Sequence, residues 1–141
     1  PKSETRFLRQ LQRYWEVEVP ALCHSSQPMQ AVHGDANFSN VLNSHQGYRW
    51  IDWEDTCIAP IEWDLACFSN RAQVFGEETT AVQAALTGYG MQTIDDRWHQ
   101  LRTFQLLLWN IMLSQTDKTS WQRVAHRLQW LHDRHPKLSP I

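Results

Sequence analysis

The chain has 141 residues, 42% hydrophobic and 20% charged, which suits a single globular domain with a real core and argues against disorder. A formal charge of −2 and a pI near 6.4 provide no electrostatic footprint for nucleic acid or for an anionic membrane surface. No apolar run approaches the roughly 18 residues that a membrane span requires, and no signal-peptide pattern is present.

Cys23, Cys57 and Cys67 are odd in number and form no C-x-x-C pair. That argues against a disulfide framework or a structural zinc site, and fits a reducing, cytoplasmic setting. Eight tryptophans are many for this length, and a Trp-rich core accounts for them more simply than eight stacking sites. The first residue is Pro1, directly before a helical pattern, as expected of a piece of a longer polypeptide.

In chain order, Phe7, Leu8, Leu11, Tyr14 and Trp15 mark one face of a helix from Ser3 to about Val17, with Pro20 as its end. Gln30 to Val32 is a short strand candidate that runs into His33-Gly34-Asp35. Strands are expected over Asn40–Asn43 and Tyr48–Ile51, joined by the Gly-containing loop Ser44-His45-Gln46-Gly47. Pro60 fits the first turn of a helix reaching about Phe75, followed by a helix from Glu77 to Thr87 stopped by Gly88 and Gly90.

The strongest helical pattern runs from Asp95 to about Gln115, with Trp98, Leu101, Phe104, Leu108, Ile111 and Met112 on one face. Ser120 would cap a last helix bearing Trp121, Val124, Leu128 and Leu131. The expected fold is therefore α+β, mostly α: one domain over 1–141, a helical platform with a small β-hairpin.

The hairpin makes distant polar residues neighbours. A short loop places Asn40 within about one residue of Asp52 across the ladder, and Asp35 can fold back beside them. Their hard oxygens suit Mg²⁺, which takes one or two carboxylates together with substrate phosphates. Singly, each would pass for a turn or capping residue.

The ordered set His33-Gly34-Asp35, Asn40 five residues after the Asp, Ile51-Asp52-Trp53-Glu54 and Trp63-Asp64-Leu65-Ala66 resembles the catalytic signature of the aminoglycoside phosphotransferase and choline kinase group. These proteins are relatives of protein kinases. The resemblance covers Val32 to Ala66.

It implies Asp35 as catalytic base toward a substrate hydroxyl, with positioning mattering more than basicity. It implies Asn40 and Asp52 as Mg²⁺ ligands facing ATP. His33 and Asp64 would brace the loop structurally, and Glu54 and Asp55 could meet a cationic substrate.

In that family an N-terminal lobe supplies a phosphate-covering loop and a Lys for the ATP phosphates. Lys2, Lys118 and Lys137 follow no strand pattern, so the chain corresponds to the C-terminal lobe, with the N-terminal nucleotide-binding lobe absent from it. The implied activity is ATP-dependent, Mg-dependent phosphotransfer to a small-molecule hydroxyl acceptor. By itself, this chain would bind ATP poorly.

The alternative is a non-catalytic kinase-like binding or regulatory module without an N-lobe, against which the complete Asp35, Asn40 and Asp52 set argues. A metal-dependent hydrolase is disfavoured because the histidines are scattered. His132-x-x-His135 fits a solvated helix end better than a metal pair, and the cysteines fit buried or bystander thiols.

Overall fold

A computed structural model describes residues 2–91, 93–113 and 120–138. Five helices and four short strands follow in the order α1 (Lys2–Ser25), β1 (Gln30–Val32), β2 (Val41–Ser44), β3 (Gly47–Trp50), β4 (Cys57–Ala59), α2 (Ile61–Phe75), α3 (Thr79–Tyr89), α4 (Asp96–Leu113) and α5 (Ser120–Arg134). Single 3₁₀ turns at Phe38–Asn40 and Trp53–Asp55 precede β2 and β4. The fold is α+β and mostly α, and no helix among the described residues is long and apolar enough to cross a membrane.

The backbone gathers into two compact units, one of Pro1–Ser25 with Thr103–Ile141 and one of Ser26–Arg102. The first is helical. Its core is Phe7, Leu11, Trp15 and Leu22 from α1, Phe104 and Leu107 from α4, and Val124, Trp130 and Leu131 from α5.

Pro20 does not end α1. It sits on the exposed side of the helix, and the buried stripe Phe7, Leu11, Trp15 continues past it to Leu22. The hydrogen bond lost at Pro20 is offset by that packing, each full burial contributing about 1.5–3 kcal/mol. On α5, His132 stacks on Phe7 at 3.7 Å and His135 meets Tyr14 edge-on at 4.9 Å. His135 is buried, so this helix end is aromatic packing and not the solvated end its charges suggest.

The second unit holds two separate antiparallel pairs. In one, β1 pairs with β4 in the register Gln30↔Ala59, Ala31↔Ile58, Val32↔Cys57. In the other, β2 and β3 form the hairpin Val41↔Trp50 to Ser44↔Gly47. A two-residue turn, His45-Gln46, leads into Gly47 at φ 94. Around these lie α2, α3 and the first turns of α4, with Leu65, Ala66, Val74, Val82 and Trp98 buried.

Several boundaries move from expectation. α3 begins at Thr79 and takes Gly88 inside, with Gly90 as its left-handed cap. On α4, Leu107 is buried while Leu108 and Met112 are exposed. Its buried stripe includes His99, Arg102 and Thr103, which an apolar pattern does not reveal. The expected continuation of this helix to Gln115 and Lys118 lie outside the described residues. Four tryptophans, Trp50, Trp53, Trp109 and Trp121, are exposed and not core.

Candidate active site

The β1–β4 clip fixes where the His33–Asn40 loop begins. Continuing its register past Val32↔Cys57 sets Gly34 opposite Asp55. Gly34 has φ 86, and a Cβ there would collide with the Asp55 carbonyl. Only glycine suits both the left-handed backbone and the close approach.

The first turn of α2 holds the loop from the other side. Asp64 accepts from the backbone N–H of His33 through Oδ2 at 2.7 Å and of Gly34 through Oδ1 at 2.8 Å. One carboxylate thus satisfies two consecutive amides, in a place where the helix N-terminus favours negative charge. Trp63 Nε1 and Cys67 Sγ both donate to the Gly34 carbonyl, at 3.1 and 3.4 Å. Burial, with Asp64 and Asp35 adding to it against Arg102, pushes the Cys67 thiol up to about 12. The exposed Cys57 thiol is also raised, by partial burial and then by Asp64 and Asp55.

His33 is buried between the loop and the hairpin. Its Nε2 lies 2.8 Å from the Ile51 carbonyl, and the Asp35 N–H approaches Nδ1 at 3.4 Å. The carbonyl can only accept and the N–H can only donate, so one tautomer, protonated on Nε2, satisfies both. Trp53 and Trp50 flank the ring at 4.6 and 5.3 Å.

Asp35 sits in a cage of donors. Asn37 Nδ2 and Asn40 Nδ2 each donate to its backbone carbonyl, at 3.0 and 2.9 Å, and to its Oδ2, both at 3.1 Å. Asn37 in turn accepts from Ser39 N–H at 2.9 Å and caps the 3₁₀ turn that delivers Asn40. The other oxygen, Oδ1, is paired with the Arg102 guanidinium from α4.

The hairpin brings in the remaining element. Ile51 N–H donates to the Asn40 carbonyl at 2.9 Å, so Asn40 stands opposite Ile51, one residue from Asp52. Because the Asn40 amide nitrogen is committed to Asp35, its Oδ1 is left as a neutral hard oxygen. Asp52 has a left-handed backbone, φ 65 and ψ 58, and its exposed side chain makes no cap hydrogen bond. Such a conformation costs a non-glycine residue about 1 kcal/mol or more.

An amide oxygen on one strand and an uncommitted carboxylate one residue beyond its backbone partner on the other offer the kind of partial oxygen set that Mg²⁺ accepts when phosphates complete its shell. The donors therefore fit the metal implied by the sequence. No group of three His, Cys, Asp or Glu side chains forms a metal cluster among the described residues.

Glu54 and Asp55 lie exposed in the 3₁₀ turn after Asp52. No hydrogen bond joins their carboxylates to Asp35 or Asn40. A cavity of about 340 Å³ opens beside His33, bounded also by Trp50, Trp53, Phe68, Leu86 and Tyr89. Asp35, Asn40 and Asp52 do not line it.

Two members of this cluster escaped the sequence. Asn37 carried a faint signal as an Asn two residues after an Asp in a turn. Arg102 carried only its charge on an otherwise apolar helix face.

The model of the phosphotransferase enzyme family matches residues 2–104. The chain belongs to that family. No curated protein matches it by sequence.

Among solved structures, this phosphotransferase-family chain resembles a choline/ethanolamine kinase family protein from Mesorhizobium loti. The TM-score is 0.62 at 16% identity, covering 94% of this chain and 48% of that one. Choline kinase LicA from Streptococcus pneumoniae gives a TM-score of 0.54 at 18% identity, covering 91% and 47%. At these identities the likeness is one of fold, and that fold is kinase-like. The chain spans about half the length of either structure.

Proposed function

We propose that the protein to which this chain belongs is an ATP-dependent phosphotransferase acting on a hydroxyl of a small molecule. The chain would supply the lobe that carries the acceptor chemistry, in a reducing, cytoplasmic compartment. The observation that carries this reading is the state of Asp35. Its carboxylate is fixed by three side chains and still partly open, at 28% exposed.

In the reaction, the acceptor hydroxyl hydrogen-bonds to Asp35, which orients its oxygen toward the γ-phosphorus. The new O–P bond forms as the bond to the β–γ bridging oxygen breaks, and that electron pair leaves on ADP. The hydroxyl proton passes to Asp35. Since little covalent chemistry falls to the protein in such a transfer, a carboxylate with one fixed geometry suffices.

Asn40 Oδ1 and the Asp52 carboxylate would hold Mg²⁺. When bound, the ion supplies charge neutralisation at the phosphates. Asp64, His33 and Gly34 keep the loop in register. Glu54 and Asp55 are proposed only as surface carboxylates that a cationic acceptor would meet. The missing share of the fold, an N-terminal nucleotide-binding lobe, is supported by the half-length match to the kinase structures.

The test is Mg-dependent ATP consumption by the full-length protein across amino alcohols, sugars and aminoglycosides, with and without Asp35→Ala. A positioned general base contributes about 10²–10⁴-fold, so kcat should fall by that factor while the fold survives. Undiminished turnover in the variant would remove Asp35 from the mechanism.

A further inference from the structure

We infer that Arg102 is a positioning residue for phosphoryl transfer, and that Asp35 Oδ1, the oxygen it holds, is the atom that receives the acceptor proton. The inference rests on the proposed phosphotransferase reading and assigns atoms within it.

A carboxylate oxygen offers two in-plane lone pairs. On Asp35, Oδ2 already takes Asn37 Nδ2 and Asn40 Nδ2, both at 3.1 Å, so its in-plane capacity is filled. Oδ1 takes Arg102 alone. One lone pair on Oδ1 therefore remains for an incoming hydroxyl, and Arg102 fixes the direction in which it points. The two asparagines cannot do this themselves. Both bind the same oxygen, and the carboxylate could still pivot about that edge.

The guanidinium is itself held. The Arg102 side chain is only 7% exposed, and its Cζ lies 5.8 Å from the centre of the Trp63 ring, within cation–π range. Trp63 donates to the Gly34 carbonyl at 3.1 Å, so the support reaching Oδ1 and the support under the loop meet at one indole. A buried guanidinium is costly unless well paired. An apolar residue on α4 would fill the same space but leave Oδ1 unfixed. The charge comes from a helix 67 residues downstream of Asp35, so the loop's geometry depends on α4 being in place.

The step balances as in the proposed reaction. The acceptor O–H bond breaks as its oxygen bonds to phosphorus, and the proton ends on Oδ1. Arg102 keeps its own protons throughout.

The experiment is a double-mutant cycle in the full-length protein, pairing Arg102→Met with Asp35→Asn and adding Arg102→Lys. Circular dichroism and Tm are recorded for every variant. Arg102→Met should lower kcat by about 10–100-fold, the scale of a small misplacement of a reacting group, with acceptor KM within about threefold. In the Asp35→Asn background it should change the residual rate by less than about twofold, since the oxygen it orients is no longer a base. Arg102→Lys should restore part of kcat.

Equal losses in both backgrounds would mean that Arg102 acts independently of the Asp35 carboxylate and overturn the inference, as would a kcat unchanged in Arg102→Met. If Arg102→Met does not fold, the decision falls to Arg102→Lys, whose kcat loss must vanish in the Asp35→Asn background. Absence of Mg-dependent ATP consumption by the unaltered protein across the acceptor panel would overturn the phosphotransferase reading and this inference together. Full activity in Asp35→Ala would overturn the inference and leave that reading standing. Loss in Asp35→Ala with an unaffected Arg102→Met would overturn this inference alone.

Discussion

The Ser26–Arg102 unit contains two part-buried polar clusters with similar inventories and opposite prospects. Around Asp35, a carboxylate gathers Arg102, Asn37 and Asn40 beside His33. On the far turns of α2 and the start of α4, Ser69 Oγ lies 2.8 Å from His99 Nε2, and His99 Nδ1 lies 3.9 Å from Asp96 Oδ1.

The second set has the residue types of a serine nucleophile with its base and orienting acid. Its protons run the wrong way. Ser69 donates its hydroxyl to the Leu65 carbonyl at 2.6 Å, so toward His99 it can only accept, and Nε2 must carry the hydrogen. An imidazole that donates to the serine cannot take the serine's proton. At Asp35 every neighbour donates to a group that must accept, and an accepting lone pair is left over. The direction of each hydrogen separates a site that can react from one that holds two helices together.

The steepest way to break the Asp35 cluster is through its backbone. Gly34→Ala would place a side chain against the Asp55 carbonyl in a left-handed conformation. The expected loss is about 3 kcal/mol or more of stability. Chemical denaturation of the variant measures it. A loss under about 1 kcal/mol would show that the β1–β4 clip yields and does not set the loop.

Asp64→Ala is the next strongest. It strips the acceptors from His33 N–H and Gly34 N–H. Two charge-assisted hydrogen bonds at roughly 1.5 kcal/mol each predict a loss of about 3 kcal/mol. Phosphotransfer should fall with it, because the segment bearing Asp35 loses its anchor. A stable variant with normal kcat would detach Asp64 from the loop's function.

These two positions also mark how far the sequence was legible. The strands at Gln30–Val32 and in the hairpin, the helix after Pro60 and the approach of Asn40 to within about one residue of Asp52 all follow from local chemistry: turn residues, period-two patterning and a proline; the hairpin register itself does not, since a one-residue slip satisfies the same signals. The pairing of β1 with β4 does not, because Cys57–Ala59 is three residues long and no turn joins it to Gln30–Val32. Without that pairing, the need for glycine at position 34 is invisible. Pro20 misled because a local breaker was overridden by a buried stripe that resumes at Leu22. Arg102 was hidden because hydropathy treats a charge on a buried face as a defect, whereas here the carboxylate it pairs with arrives from a distant loop.

The thiols give a finer comparison of the two sides of the loop. Cys67 donates to the Gly34 carbonyl, and burial pushes its pKa up to about 12, so it is held as the neutral thiol. Cys57 is exposed on β4, and its smaller rise comes mainly from partial burial. Alkylation of the native protein at pH 8, followed by peptide mapping, should modify Cys57 well before Cys67, with Cys67 reacting only as the unit unfolds. Equal rates would mean that the loop opens far more readily than its hydrogen bonds imply.

The smallest effect is expected at the decoy cluster, and it carries the comparison's burden. Ser69→Ala removes one neutral hydrogen bond to Leu65 and the acceptor facing His99, in a helix that keeps its own backbone ladder. The cost should be about 1 kcal/mol, seen as a modest fall in Tm, with kcat for phosphotransfer unchanged. Asp96→Asn should be milder still, since at 3.9 Å its carboxylate is beyond hydrogen-bond reach of the imidazole. A tenfold drop in turnover in Ser69→Ala, without matching loss of structure, would show that proton direction alone does not separate the two clusters. The first turns of α4 would then be tied to catalysis through His99 as well as through Arg102.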